Sequence, residues 1–110
     1  MEKTIRLIKE ALDDKKAEDI SILDISQISV MADIMVIATA ANVNQIQAMC
    51  DNIEEKMKEI GKYYDHIEGY RSGNWILMDY KDIIIHLFCK DDRAYYDIDH
   101  IWSDGKKVSI

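Results

Sequence analysis

The side chains that could carry chemistry in this sequence are three histidines, two cysteines and several groups of acidic residues. No two of His66, His86 and His100 have the spacing of metal ligands on one helix or turn. His86 lies three residues before Cys89 in an aliphatic segment, where strand alternation predicts that the two side chains point to opposite faces. We therefore expect no metal site, and we interpret His86 as a buried histidine whose hydrogen-bond partner is a backbone or carboxylate group.

The cysteines, glycines and serines indicate neither a nucleophile nor a phosphate site. Cys50 lies on the apolar stripe of a predicted helix, where a thiol is protonated and inert, and Cys89 is far from it along the chain. Phosphate-binding loops need closely spaced glycines that open a helix, whereas the segment from Gly69 to Gly73 leads into a predicted strand. We therefore expect no disulfide and no cofactor.

A group of aromatic and acidic residues between Glu68 and Trp102 is the strongest candidate for a binding surface. Alternation places Trp75, Leu77 and Asp79 on one face of a predicted strand. An aspartate that shares a face with tryptophan and leucine fits an interface better than a dry core. Aromatic anchors supply buried area in protein recognition, and carboxylates select a basic partner. A second interpretation, in which Trp75 and Trp102 fill the core, stays open.

Length and charge restrict the classes of function. A chain of 110 residues is expected to form a single domain, residues 1–110. The 14 Lys and Arg residues against 21 Asp and Glu give a net charge of −7, which argues against direct binding to nucleic acid. No apolar run approaches the roughly 18 residues of a membrane span, and the charged amino-terminal segment has the features of neither a signal nor a transit peptide. We expect no membrane partner and a cytoplasmic location.

The periodicity of apolar residues predicts three helices that would position these side chains. The first sixteen residues have an apolar stripe typical of an amphipathic helix. The clearest periodicity runs from Val43 to Ile60 and predicts a five-turn helix, with Asn42 as N-cap and Gly61 as a left-handed stop. The spacing of Tyr95, Ile98 and Trp102 predicts a short third helix with Asp91 or Asp92 as N-cap, and residues from Ser103 onward are expected to fray.

Four strands are predicted between and after the two long helices. They are Asp19–Ile25, Asp33–Ala40, Trp75–Tyr80 and Ile83–Cys89, the last two forming an antiparallel hairpin, with a loop over Asp65–Asn74. The fold class is α/β, a mixed sheet of four or five strands with helices mainly on one face. Strands that are apolar on both faces offer more surface than these helices can cover, so part of the sheet should face a partner.

An ordered set of segments along nearly the whole chain resembles the ribosomal silencing factor family, also called the iojap-like family. The segments are Asp33–Thr39 (DIMVIAT), Gln45, Glu68-Gly69, Trp75, Asp79-Tyr80, Asp82–Phe88 (DIIIHLF), Arg93, Tyr96-Asp97 and Trp102. No single segment identifies the family, but their order is specific.

This resemblance implies a translational repressor that is not an enzyme. Such a protein binds protein fourteen of the large ribosomal subunit and sterically blocks association of the small and large subunits under nutrient limitation. The resemblance also implies a fold related to nucleotidyltransferases, without their catalytic machinery, and a homodimer. The residues that it makes candidates for the contact with the ribosomal protein are Glu68, Trp75, Leu77, Asp79, Tyr80 and Asp82.

The sequence departs from the family pattern at two positions, and two other functions stay open. The family typically has glycine where Ala40 and Lys81 stand here, which leaves the turn geometry at these positions undetermined. One alternative function is a magnesium-dependent enzyme of the nucleotidyltransferase class that uses Asp97, Asp99 and Asp24. The other is a dimeric adaptor without ribosome contact.

Overall fold

The computed structural model describes residues 1–110 as four helices and six strands. The helices are α1 (Glu2–Asp14), α2 (Val43–Glu59), α3 (Lys90–Tyr96) and α4 (Ile98–Ile101). The strands are β1 (Glu18–Asp24), β2 (Ile34–Ala40), β3 (His66–Glu68), β4 (Trp75–Asp79), β5 (Ile83–Cys89) and β6 (Lys106–Lys107). None of the helices combines the length and the apolar character that crossing a bilayer requires.

The strands form one mixed sheet in the order β3-β4-β5-β2-β1-β6. The central strands β2 and β5 are parallel, and every other neighbouring pair is antiparallel. All seven residues of β2 are buried, as the nearly continuous aliphatic run predicted for a central strand. The predicted α/β class and the hairpin between β4 and β5 are both confirmed.

Helices α1 and α2 cover one face of this sheet and enclose the main core. The apolar stripe of α1 includes Ile8 and Leu12, and that of α2 includes Met49 and Ile53; all four side chains are fully buried. Burying a side chain of this size contributes about 1.5–3 kcal/mol relative to leaving it in water. The side chain of Asn52 also donates a hydrogen bond to the carbonyl of Ala11, at 2.9 Å, and so links the two helices.

The ends of α2 are fixed by the residues that the sequence predicted. The Asn42 carboxamide oxygen accepts a hydrogen bond from the backbone N–H of Gln45 at 2.8 Å, and Gly61 ends the helix with a φ of +74°. The Gln45 side chain reaches back one residue further than a standard capping box, accepting from the N–H of Ala41 at 2.6 Å. Its amide nitrogen donates to the carbonyls of Lys15 and Lys16, both at 3.0 Å, which ties α2 to the end of α1.

Two predictions about irregular segments were wrong. The loop predicted over Asp65–Asn74 contains β3, an edge strand whose three residues are too few to give a readable alternation. The residues after Ser103 do not fray, because β6 pairs with β1. The sheet therefore has six strands rather than four or five.

The predicted terminal helix is also two helices. The chain breaks at Asp97, whose φ of +51° is left-handed, and α4 begins immediately after it. Helix α3 begins at Lys90 with Cys89 as N-cap. The predicted N-cap residues Asp91 and Asp92 therefore lie inside its first turn. The break lets the chain turn back over the sheet face that α1 and α2 leave uncovered.

The side chain of Arg93 holds α3 against the sheet. Its guanidinium donates to the carbonyl of Asp19, to the hydroxyl of Thr39 at 2.9 Å and to the hydroxyl of Ser21 at 3.2 Å. It also donates two hydrogen bonds to the carboxylate of Asp99, at 2.8 and 3.0 Å. All five N–H groups of the guanidinium thus have partners, and one side chain connects α3 to β1, β2 and α4.

We predict that Lys81→Gly stabilises the fold. Lys81 lies in the turn between β4 and β5 with a φ of +71°, a region in which a side chain costs roughly 1–2 kcal/mol and glycine costs little. After the larger entropy of the unfolded glycine variant is subtracted, the gain in the free energy of unfolding should be about 1 kcal/mol, measured by urea denaturation. Lys15→Gly is the control, because Lys15 has a φ of −103° and no strain to relieve. A gain in the control equal to that at Lys81 would contradict the prediction.

Candidate functional site

The face of the sheet opposite α1 and α2 carries most of the predicted recognition residues. Strand register places Leu77 between Glu68 and His86 in one row, and Asp79 beside Ile84 in the next. We call this surface the open face. It is formed by Glu68, Trp75, Leu77, Asp79, Ile84 and His86.

An apolar groove of about 370 Å³ runs along the open face. Its lining includes Met35 and Ile84 at the floor and Trp102, which follows α4, on one wall. Met31, on the loop between β1 and β2, also lines the groove and is 82% exposed. An apolar groove with an exposed methionine at its border is characteristic of a protein-binding surface.

Trp75 is both a packed residue and a surface residue. Its ring stacks on Phe88 with a centroid distance of 5.0 Å and contacts Tyr96 with a centroid distance of 4.6 Å. Its indole N–H donates a hydrogen bond to Nδ1 of His86 at 3.0 Å. Because Trp75 also lines the groove, the sequence interpretations as an anchor and as a core residue are compatible.

His86 is a buried acceptor on the open face. The residue is only 6% exposed, and burial lowers the pKa of its imidazole to about 4. Since Nδ1 accepts from Trp75, the hydrogen-bond network assigns the proton of the neutral ring to Nε2. The predicted burial of His86 is confirmed, but its partner is the indole of Trp75 and not the predicted backbone or carboxylate group. Cys89 points to the opposite face, as predicted, where it packs against the main core.

A group of carboxylates, which we call the acidic edge, borders the open face along β3 and β4. Asp65, Glu68 and Asp79 surround the imidazole of His66, with carboxylate oxygens 3.3–3.6 Å from its nitrogens. Strand pairing creates this group, because His66 is the cross-strand neighbour of Asp79. The sequence does not reveal this group, because β3 is too short to show an alternation and spacing along the chain does not show which residues meet across strands.

Tyr80 and Asp82 lie apart from the other four predicted contact residues. Both line a cavity of about 370 Å³ on the helix side of the sheet, together with Met57 and Lys62. The hydroxyl of Tyr80 is buried there without a hydrogen-bond partner, and burial raises the pKa of Tyr80. The structure thus brings together Glu68, Trp75, Leu77 and Asp79. Tyr80 is separated from them because it follows Asp79 directly and points to the opposite face, and Asp82 because it lies in the turn after β4.

The acidic residues of the alternative enzyme hypothesis do not converge. Asp99 is held in the ion pair with Arg93, which lowers the pKa of its carboxyl. Asp24 accepts hydrogen bonds from the hydroxyl and the N–H of Ser26, at 2.6 and 2.9 Å, and these lower its pKa. Asp97 occupies the break between α3 and α4. Each of the three therefore has a local structural role, and the geometry gives no support to a shared magnesium site.

Comparison with known proteins identifies the family. A family model described as "Ribosomal silencing factor during starvation" matches residues 1–110. The chain belongs to this family. Curated relatives named ribosomal silencing factor include one from Halalkalibacterium halodurans, 35% identical over 96% of this chain and 91% of the relative. Another, from Bacillus subtilis, is 36% identical over 96% of this chain and 90% of the relative.

Solved structures agree with this membership. A crystal structure of a Bacillus halodurans protein covers 100% of both chains with a TM-score of 0.89 and 32% identity. An X-ray structure of a Chromobacterium violaceum protein covers 99% of this chain and 90% of the other, with a TM-score of 0.90 and 35% identity. The resemblance seen in the sequence is therefore confirmed, and the relatives carry the names of regulatory proteins rather than of enzymes.

We predict that His86 makes the fold less stable in acid. Its folded pKa of about 4 lies below the ordinary value of 6.5, so the neutral ring stabilises the fold above pH 6.5 and this contribution is lost as the pH falls toward 4. The loss between pH 7 and pH 4 should be about 3 kcal/mol, measured as the free energy of unfolding in urea. His86→Asn, which keeps an acceptor for Trp75, should remove this part of the pH dependence. An unchanged pH profile in the variant would contradict the assignment.

We also predict that Gly69→Ala distorts the acidic edge. Gly69 follows β3 with a φ of +80°, and an added Cβ would lie 2.0 Å from the carbonyl oxygen of Trp75. Since backbone atoms would have to move, the loss in the free energy of unfolding should be at least about 2 kcal/mol. Gly61→Ala is a matched control, because Gly61 has a φ of +74° with nothing within 4 Å of the added Cβ. Gly61→Ala should lower the free energy of unfolding by only about 1 kcal/mol. Equal losses in the two variants would show that the contact with Trp75 does not cause the destabilisation.

Proposed function

We propose that this protein represses translation by docking on the large ribosomal subunit through the open face. The observation that carries the proposal is the apolar groove beside the acidic edge, in a chain that belongs to the ribosomal silencing factor family. The partner within the subunit is its protein fourteen. The bound protein sterically blocks association with the small subunit when nutrients are limiting.

The chemistry of the open face favours a basic protein as the direct partner. The groove supplies apolar area around Trp75 and Leu77, and the carboxylates of Glu68 and Asp79 lie beside it. Carboxylates at the border of an apolar contact select lysine and arginine on the partner and increase the rate of encounter. The net charge of −7 opposes binding to ribosomal RNA itself, so the contact is with a protein.

The size of the folded chain is sufficient for a steric mechanism. Its principal extents are 34, 34 and 24 Å, far larger than the gap between surfaces in molecular contact. A rigid body of this size, bound where the subunits meet, prevents their close approach without any chemical reaction. No catalytic step is required, in agreement with the names of the relatives.

The open face is also consistent with the expected homodimer, and steric blocking is consistent with the expected location and the absence of a cofactor. In the free protein, a second copy that covers part of the apolar open face would give a homodimer. We place this activity in the cytoplasm, and steric blocking needs no cofactor. An adaptor without ribosome contact would share the dimer but would leave translation unchanged, so binding to subunits distinguishes the two functions.

We predict that Met31→Asp and Leu77→Asp weaken binding to large subunits by at least about tenfold, or about 1.4 kcal/mol. Each variant places an unpaired charge in the apolar groove, and Met31 is exposed enough to be changed without loss of folding. Binding is measured by co-sedimentation of the purified protein with isolated large subunits. Small subunits are then added, and the fraction of joined ribosomes is read on a density gradient.

Tyr63→Asp provides the matched control. Tyr63 is 69% exposed on the helix side of the sheet, so the variant has the same change in charge on the opposite surface. It should bind and inhibit joining like the unmodified protein. Binding to purified protein fourteen tests the identity of the partner. Absence of binding to large subunits at low and moderate salt, or equal loss in all three variants, would overturn the proposal.

A further inference from the structure

We propose that Asp65, His66 and Asp79 form a binding site for a divalent transition-metal ion, with Zn²⁺ as the matching cation. The site lies on the acidic edge, where the chain enters β3 and where β4 ends. One potential ligand atom from each of the three side chains lies within 4.8 Å of the other two. This inference concerns the isolated protein and does not depend on the proposed function.

Two of the three distances between the ligand atoms match those around a zinc ion. Nδ1 of His66 lies 3.5 Å from Oδ2 of Asp65 and 3.6 Å from Oδ2 of Asp79. Zinc bonds to nitrogen and oxygen of about 2.0–2.2 Å place neighbouring tetrahedral ligands about 3.4 Å apart. Small rotations of exposed side chains are therefore sufficient to close the site around the ion.

Groups outside the three ligands orient them as outer partners do in known metal sites. The second ring nitrogen of His66, Nε2, lies 3.3 Å from a carboxylate oxygen of Glu68. A metal-bound histidine usually directs its other N–H at such a carboxylate, which leaves the opposite nitrogen free for the metal. For Asp79, Oδ1 accepts the backbone N–H of Lys81 at 2.7 Å, and this bond directs Oδ2 toward His66.

The backbone holds the ligands in place from two different segments. His66 and Asp79 are paired across β3 and β4, and the N–H of Asp65 donates to the carbonyl of Asp79 at 2.6 Å. The charge balance also favours a cation. Three carboxylates converge on one imidazole, and neither lysine nor arginine forms an ion pair with any of them.

The ligand set indicates zinc rather than magnesium or calcium. Imidazole nitrogen is a preferred ligand of zinc and related transition metals, whereas magnesium and calcium favour coordination by oxygen alone. Three protein ligands on an exposed edge leave a fourth position for water. The same open position is available to a donor atom from a bound partner.

The test is titration of the intact protein with Zn²⁺ by isothermal titration calorimetry at pH 7.5, with Mg²⁺ titrated in parallel. We expect one saturable equivalent of zinc and no comparable binding of magnesium. Titration with Co²⁺ provides a second measurement, because cobalt in a nitrogen and oxygen site has visible absorption that reports its coordination. His66→Ala and Asp79→Asn should each weaken zinc binding at least tenfold and abolish the cobalt absorption.

His100→Ala is the matched control, because it removes an exposed histidine of α4 that is not part of the acidic edge and should leave both titrations unchanged. His66 is itself 47% exposed, so its removal leaves the core intact, which circular dichroism checks. Zinc binding that persists in His66→Ala, an equal loss in His100→Ala, or absence of a saturable equivalent in the unmodified protein would each overturn the proposal.

Discussion

The parallel pair of β2 and β5 is the constraint on which the rest of the structure depends. A parallel pair at the centre of a sheet is apolar on both sides, so both faces need cover. Helices α1 and α2 supply it fully on one face. The other face receives only the β1–β2 loop, α3 and α4, and this shortage of cover produces the open face over β4 and β5.

The layer formed by the β1–β2 loop, α3 and α4 is stabilised by polar interactions in addition to apolar packing. Arg93 satisfies five donors against groups from β1, β2 and α4, and so compensates for the small apolar area of α3. Trp75 and His86 pair by a hydrogen bond within the groove, which lets an indole and an imidazole be buried among apolar side chains. The result is a rigid surface that is still open to solvent on one side.

The sequence predicted those elements whose residues have a long, regular pattern. The stripe of α2, the aliphatic run of β2 and the caps at Asn42 and Gly61 were all visible, because each depends on local spacing. The three-residue β3 and the two-residue β6 were not, since strands this short have no period and form only through their neighbours. For the same reason the alternation on β4 located Trp75, Leu77 and Asp79, whereas the grouping of Asp79 with Asp65 and His66 required knowledge of strand pairing. Met31 was missed because an exposed methionine in a loop has no pattern.

The short strands at the two ends of the sheet restrict how the protein can associate. An edge strand offers unpaired backbone groups to any other extended chain, which is a route to aggregation. Here one edge is three residues long with alternate charged or ionisable side chains, and the other is the dipeptide Lys106–Lys107. End strands of two or three residues offer few backbone groups for pairing with a further strand from another molecule. The charged side chains on these end strands oppose edge-to-edge pairing, so the apolar area of the open face lies beside sheet edges that are protected against aggregation.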